Sequence, residues 1–167
     1  MYCKIIFVKK IFILLVCLFC FSGVYAQSAD VITQIINASE VTYGQVCYLS
    51  AVHQKLIKDN SSMKDAVSAL YNAGQISEEY DANEPAKLND IACIYMKMWP
   101  DEKAGIMFRV TGGSKRYAYK YLKDMGIILA SSDATQYVTG REALNILTAC
   151  MVEFAPEEEG MNMKIEE

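Results

Sequence analysis

Residues 114–128 read SKRYAYKYLKDMGII, and the placing of this stretch decides the fold. Its tyrosines alternate with basic residues, as they would on a nucleic-acid or membrane-facing surface. Wound into a helix, Ala118, Tyr121, Leu122 and Met125 fall at i, i+3, i+4 and i+7 and form one apolar face. Arg116, Lys120 and Lys123 share another face, where solvent is the expected neighbour. Gly126 ends the helix, because glycine takes the left-handed conformation after a helix without steric cost. Lys123 in the last turn favours the negative end of the helix dipole.

The same helix occurs once before. DAVSALYNAGQI (65–76) matches YAYKYLKDMGII (117–128) at Ala66/Ala118, Leu70/Leu122, Gly74/Gly126 and Ile76/Ile128, each pair 52 positions apart. Three further segments line up as second helices: VTYGQVCYL (41–49), LNDIACIYM (88–96) and VTGREALNI (138–146). Each begins with an apolar residue, then Thr or Asn as the expected cap. Thr42 with Gln45 and Thr139 with Glu142 have capping-box spacing, as do Ser62 and Asp65 before the 61–74 helix. Val46, Cys93 and Ala143 are equivalent in this register, as are Cys47, Ile94 and Leu144. Val31, Ile32, Ile35 and Ile36 give DVITQIIN (30–37) an apolar face, making it a shortened first helix. Val67, Leu70 and Tyr71 form the expected buried stripe of the 61–74 helix. The pattern predicts an all-α fold of about six helices in three helix–loop–helix repeats, near 29–58, 61–99 and 114–152. The least helical piece is AGIMFRVTGG (104–113), expected as a short irregular or β-like strap.

These motifs resemble the S-layer homology repeat, with its aromatic-Ala opening, Gly-ending turn followed by Ile, and capped second helix starting near (I/V)TRAE. The third repeat carries it best, in Tyr117-Ala118, Gly126-Ile127-Ile128 and Val138-Thr139-Gly140-Arg141-Glu142-Ala143. AGIMFRVTGGSKRYAYKYL (104–122) with the following GII (126–128) and VTGREAL (138–144) is also similar to small exported proteins of uncertain function from spirochaetes. The resemblance implies a cell-envelope module held to wall glycopolymer or peptidoglycan. Carried over by motif, the contact residues are Arg141 and Tyr117, with Arg116 beside Tyr117. The departures are that TRAE has become TGRE, that one repeat alone keeps an arginine, and that Tyr stands for the usual Trp. The alternative is a periplasmic interaction or scaffolding subunit without glycan binding.

The N-terminus agrees with export. Lys4, Lys9 and Lys10 precede an apolar run from Ile11 to Phe21, and Val24 and Ala26 fit a small-residue cleavage site. The reading is a signal peptide over 1–26 and a mature chain from Gln27, placed in the periplasm or at the cell surface. The apolar run is short for a bilayer span, which needs about 20 residues. A lipid anchor at Cys17 or Cys20 is the other option, but Val16 and Phe19 stand where such a site wants Gly, Ala or Ser. No transmembrane span is expected after cleavage. Removing residues 1–26 leaves 13 basic against 20 acidic residues, a formal charge of −7. That acidity argues against a nucleic-acid partner, which selects a basic footprint. Residues 155–167 read as an acidic, flexible tail.

Catalytic patterns are sparse, and the expectation is no enzyme, no cofactor and no metal. His53, the single histidine, stands at the edge of an apolar face, nearly two turns from Cys47. That is poor geometry for a nucleophile and its base. Cys47, Cys93 and Cys150 remain after export; their positions interchange with Ala, Val, Ile and Leu, as core thiols do. Their odd number leaves open a free or intermolecularly paired thiol. SEEYDANE (77–84) lacks the alternating oxygen ligands of a calcium loop.

Overall fold

The computed structural model describes residues 23–100 and 103–154, with side chains from residue 29. The apolar run with Cys17 and Cys20 and the acidic tail lie outside the described residues. The chain is mostly helical and all-α. Its helices are α1 (Gly23–Ile36), α2 (Tyr43–His53), α3 (Met63–Asn72), α4 (Leu88–Met96), α5 (Ile106–Val110), α6 (Lys115–Asp124) and α7 (Gly140–Phe154). None among the described residues is long and apolar enough to cross a membrane.

Helix starts follow the caps read from the sequence. Thr42 accepts from the Gln45 backbone N–H while the Gln45 side chain accepts from the Thr42 N–H, and Ser62 and Asp65 repeat the exchange. Thr139 and Glu142 do the same for α7. Each box satisfies donors that a helix start leaves orphaned. α4 differs. It begins at Leu88, Lys87 stands at its cap position without a side-chain hydrogen bond, and the Asn89 amide oxygen is buried with no partner among the described residues.

α2, α4 and α7 form the interior, with α4 in contact with both of the others. Each carries one outer helix: α3 lies on α2, α6 on α4, and α1 on α7. The segments entering the three inner helices are tied to one another through their backbones. The Val41 N–H donates to the Val138 carbonyl, the Ala86 N–H to Val41, and the Leu88 N–H to Gln136, each at 2.9 Å. Two isolated bridges, Thr42 with Pro85 and Lys87 with Tyr137, belong to the same junction. Val41, Leu88 and Val138 are buried there, so buried peptide groups need these partners. Gly140 donates to the Ala38 carbonyl, and a Cβ at Gly140 would stand 1.6 Å from the Ile35 carbonyl oxygen. Only a residue without a side chain allows α1 to meet the start of α7.

α3 and α6 share a pattern at the positions matched in sequence. Ala66, Ala118, Leu70 and Leu122 are completely buried, and Ile76 and Ile128 nearly so. Gly74 and Gly126 have φ of +69° and +75°. The residue after each glycine donates back to the buried leucine, Gln75 to Leu70 and Ile127 to Leu122. This closure satisfies carbonyls at a helix C-terminus.

Several details differ from expectation. The segment near 104–113 is not an irregular or β-like strap; it holds the short helix α5, closed by Arg109 N–H to Gly105 O and Thr111 N–H to Met107 O. Five residues that are apolar except for Arg109 fit either period, and among the described residues no strand is there to pair with them. The described residues thus hold seven helices against about six predicted. Tyr71 and Met125 are exposed, not core. An outer helix of ten residues buries a narrow stripe, which Ala66, Val67 and Leu70 fill on α3 and Ala118 and Leu122 on α6.

Candidate functional site

The most constructed polar site is centred on Asp90, in the first turn of α4. Every other residue of that helix except Asn89 is a buried aliphatic, sulfur-containing or aromatic side chain. Burying a carboxylate is costly unless it is paired and hydrogen-bonded, and Asp90 has both. The Tyr43 hydroxyl donates to Oδ2 at 2.5 Å, and Lys115 Nζ lies 2.6 Å from Oδ1. Lys115 also donates to the Tyr80 hydroxyl at 2.9 Å and sits 5.2 Å from the Tyr80 ring centroid. Tyr80 in turn stacks on Tyr43, with centroids 4.2 Å apart and rings 7° from parallel. The first turns of α2, α4 and α6 are thereby joined through four side chains.

Two members of the cluster hold their protons more tightly than usual. Burial, then the hydrogen bond to Asp90 and its charge, push the Tyr43 hydroxyl well above the usual range. Burial alone would lower the Lys115 pKa. Its hydrogen bonds to Asp90 and Tyr80, with the Asp90 charge, outweigh that and raise it.

A cleft of about 220 Å³ opens beside this cluster, lined among others by Gln75, Ser77, Tyr80, Cys93, Lys97 and Lys115. It adjoins a second groove of about 280 Å³ that shares Gln75, Lys97, Gly112 and Gly113 and adds Trp99 and Arg109. Gly113 has φ of +90°, and its carbonyl accepts from the Cys93 thiol at 3.2 Å. The Trp99 indole Nε1 is buried with no hydrogen-bond partner among the described residues. Three cations, one of them paired with Asp90, and three aromatic rings thus line two adjoining hollows. Such a lining suits a ligand with hydroxyl groups or negative charge.

The residues carried over by motif fall into two places. Tyr117 is half-buried in a groove between α6 and α5, with Ile106, Met107, Lys120 and Tyr121. Arg116 is exposed beside Lys115, and Arg141 is exposed in the first turn of α7. Arg141 lines neither the Tyr117 groove nor the Asp90 cleft. The Thr139–Glu142 box fixes the cap, so the residue after it is Gly140, and Arg141 comes one position later. One position turns a side chain about 100° round a helix. In the register of Val46, Cys93 and Ala143, Tyr43, Asp90 and Gly140 are equivalent, the first and last opening their helices and Asp90 standing third in α4. The first two hydrogen-bond to each other.

The Asp90 cluster was missed at the sequence level, although a signal existed. A single acid inside LNDIACIYM is out of place on a helix otherwise bound for the core. Other reactive groups are arranged for packing. Cys47, Cys93 and Cys150 are buried and free, and burial pushes the thiols of Cys47 and Cys150 up to about 12. His53 is exposed, with its ring 5.4 Å from that of Trp99. Among the described residues no group of three or more Cys, His, Asp or Glu is placed to hold a metal ion. Comparison with protein-family models, curated proteins and solved structures gives no match for the chain.

Proposed function

We propose that the chain is an exported, non-enzymatic module of the cell envelope, in the periplasm or at the cell surface, that attaches to wall glycopolymer or peptidoglycan. The observation that carries this is the packing order. The second helix of each unit receives the first helix of the next, α3 on α2 and α6 on α4, and α1 closes the set on α7. Cyclic sharing of one core among three small units supports an S-layer-homology-like repeat, because no unit could bury its own apolar face alone. The matched burial and turn geometry of α3 and α6 supports it too.

Between such units the surface offers the cleft with Lys97 and Tyr80 as the place where a hydroxylated, acidic polymer would lie. Arg116 and Tyr117 continue from Lys115 along α6, and Arg141 supplies a separate contact. This assignment of function rests on fold-level analogy and on the cleft chemistry. Sedimentation with purified sacculi tests it. The chain beginning at Gln27 is expected to pellet with them, and Lys97→Ala and Arg141→Ala to reduce retention. A chain that stays in the supernatant rules the proposal out. A scaffolding subunit would instead give a stoichiometric cross-linked partner and no retention.

A further inference from the structure

An adjoining surface, which shares Arg109 and Tyr117 with the site above, lies on α5 and the flank of α6. Phe108 alone anchors α5 in the core, while Ile106 and Val110 are each 75% exposed and Met107 49%. Scattered exposed apolar residues are ordinary, but three on little more than one turn form a contiguous ridge. At three-quarters exposure both aliphatic side chains project toward solvent, Ile106 from the rim of the groove between α5 and α6 and Val110 outside it.

The charge around the ridge is as uneven as its hydropathy. Residues 103–123 contain six basic residues and no acidic one, in a chain that is acidic as a whole. Three of the six have internal partners: Lys103 donates to the Phe154 carbonyl, Lys115 pairs with Asp90, and Lys123 donates to the Ser132 carbonyl. Arg109, Arg116 and Lys120 are exposed. Lys120 lines the same groove as Ile106, Met107, Tyr117 and Tyr121, with Asp124 at its edge the single acid there.

We propose that the α5–α6 ridge docks onto an anionic lipid surface. Ile106, Met107 and Val110 enter the headgroup region, Arg109 and Lys120 meet lipid phosphates, and Tyr117 and Tyr121 sit at the boundary. An apolar face rimmed by cations and tyrosines is the composition that binds in the plane of an interface. Projecting aliphatic side chains need a yielding acceptor, which acyl chains provide, whereas a protein partner would need a matching pocket. The occupant to be set against lipid is the chain itself. Glu157, Glu158 and Glu159 follow closely on Phe154, whose ring stacks on Tyr121 at 6.2 Å.

The test is flotation of the chain beginning at Gln27 with vesicles of neutral phosphatidylcholine, or with roughly one third phosphatidylglycerol. Every buried hydrophobic residue described lies from Ile35 to Phe154, so this chain retains the described core. Two lipid-facing cations imply partition onto the anionic vesicles on the order of thirtyfold stronger than onto neutral ones. High salt should weaken it. The double substitution Ile106→Asp, Val110→Asp should abolish binding while leaving the circular dichroism unchanged, since both side chains are exposed. Lys120→Glu should lower binding to the anionic vesicles alone. No binding, equal binding to both vesicles, or binding indifferent to the aspartates overturns the proposal. So does binding that appears only when Glu157, Glu158 and Glu159 are changed to Gln, which would assign the ridge to the chain's own acidic segment.

Discussion

Replacing Lys115 by Met asks how much the Asp90 cluster holds the inner helices together. Removing one partner of a fully buried ion pair costs about 3–5 kcal/mol, because the remaining charge is left stranded. An exposed pair is worth about 0–1 kcal/mol. Here the side chain of Asp90 is 6% exposed and that of Lys115 43%, so the cost falls between these limits. Asp90 also keeps the Tyr43 hydroxyl and the favourable start of the α4 dipole. We expect Lys115→Met to destabilise by about 2 kcal/mol. Asp90→Asn, which keeps an acceptor for Tyr43, should cost about 1–2 kcal/mol. The double variant should recover about 1 kcal/mol of the summed loss, since neither charge is then stranded. Urea denaturation followed by circular dichroism measures all three, with an unchanged slope showing that the unfolded states are comparable. A coupling below about 0.3 kcal/mol would refute the pairing as a stabilising contact.

Gly140→Ala should cost at least about 3 kcal/mol, because its Cβ meets a backbone carbonyl that cannot move without lifting α1 off α7. Gly74→Ala, with open space but φ of +69°, should cost only about 1 kcal/mol; the reverse order in thermal denaturation would contradict the packing described. At alkaline pH the chain should lose stability. Tyr43 and Lys115 both hold their protons more tightly when folded, so the folded state binds more protons. Their contribution is complete below the unfolded values of about 10 and fades as pH rises through the folded ones. Lys115→Met should flatten that fall in a pH series of urea midpoints. In the chain from Gln27, Cys47, Cys93 and Cys150 should resist a thiol reagent near neutral pH and react together on unfolding; rapid labelling of the native chain would place one of them at the surface.

What was legible in the sequence was local. Ala66, Leu70 and Gly74, and their counterparts 52 residues on, each specify a helix face and a stop within three turns. The three capping boxes are written in spans of four residues. What was not legible depends on distant residues meeting. Tyr43, Tyr80, Asp90 and Lys115 come from four separate segments, and no spacing announces that Asp90 will be answered by a lysine 25 positions later. The width of a buried stripe is equally non-local: Tyr71 and Met125 have helical spacing with the core residues, but no neighbour reaches across to cover them. Arg141 illustrates a finer limit. TGRE in place of TRAE already moves the arginine one position on, and what the sequence does not show is why: Gly140 holds the place after the cap because of the approach of Ile35.

α6 shows how one short helix can serve the core and two surfaces without conflict. Its Ala118 and Leu122 are fully buried, its first residue Lys115 is turned to Asp90, and its Tyr117, Lys120 and Tyr121 border α5. The alternation of tyrosine and cation in residues 114–128 is therefore not one surface but three faces seen in sequence order. The charges separate accordingly. Lys115 is consumed by an internal carboxylate, so neutralising it should alter stability while leaving vesicle binding at the ridge intact. Lys120 has no role in the core, so reversing its charge should do the opposite. Since the two residues are five positions apart on one rigid helix, different responses could not come from a general loosening of α6. They would have to come from two surfaces that the helix keeps apart.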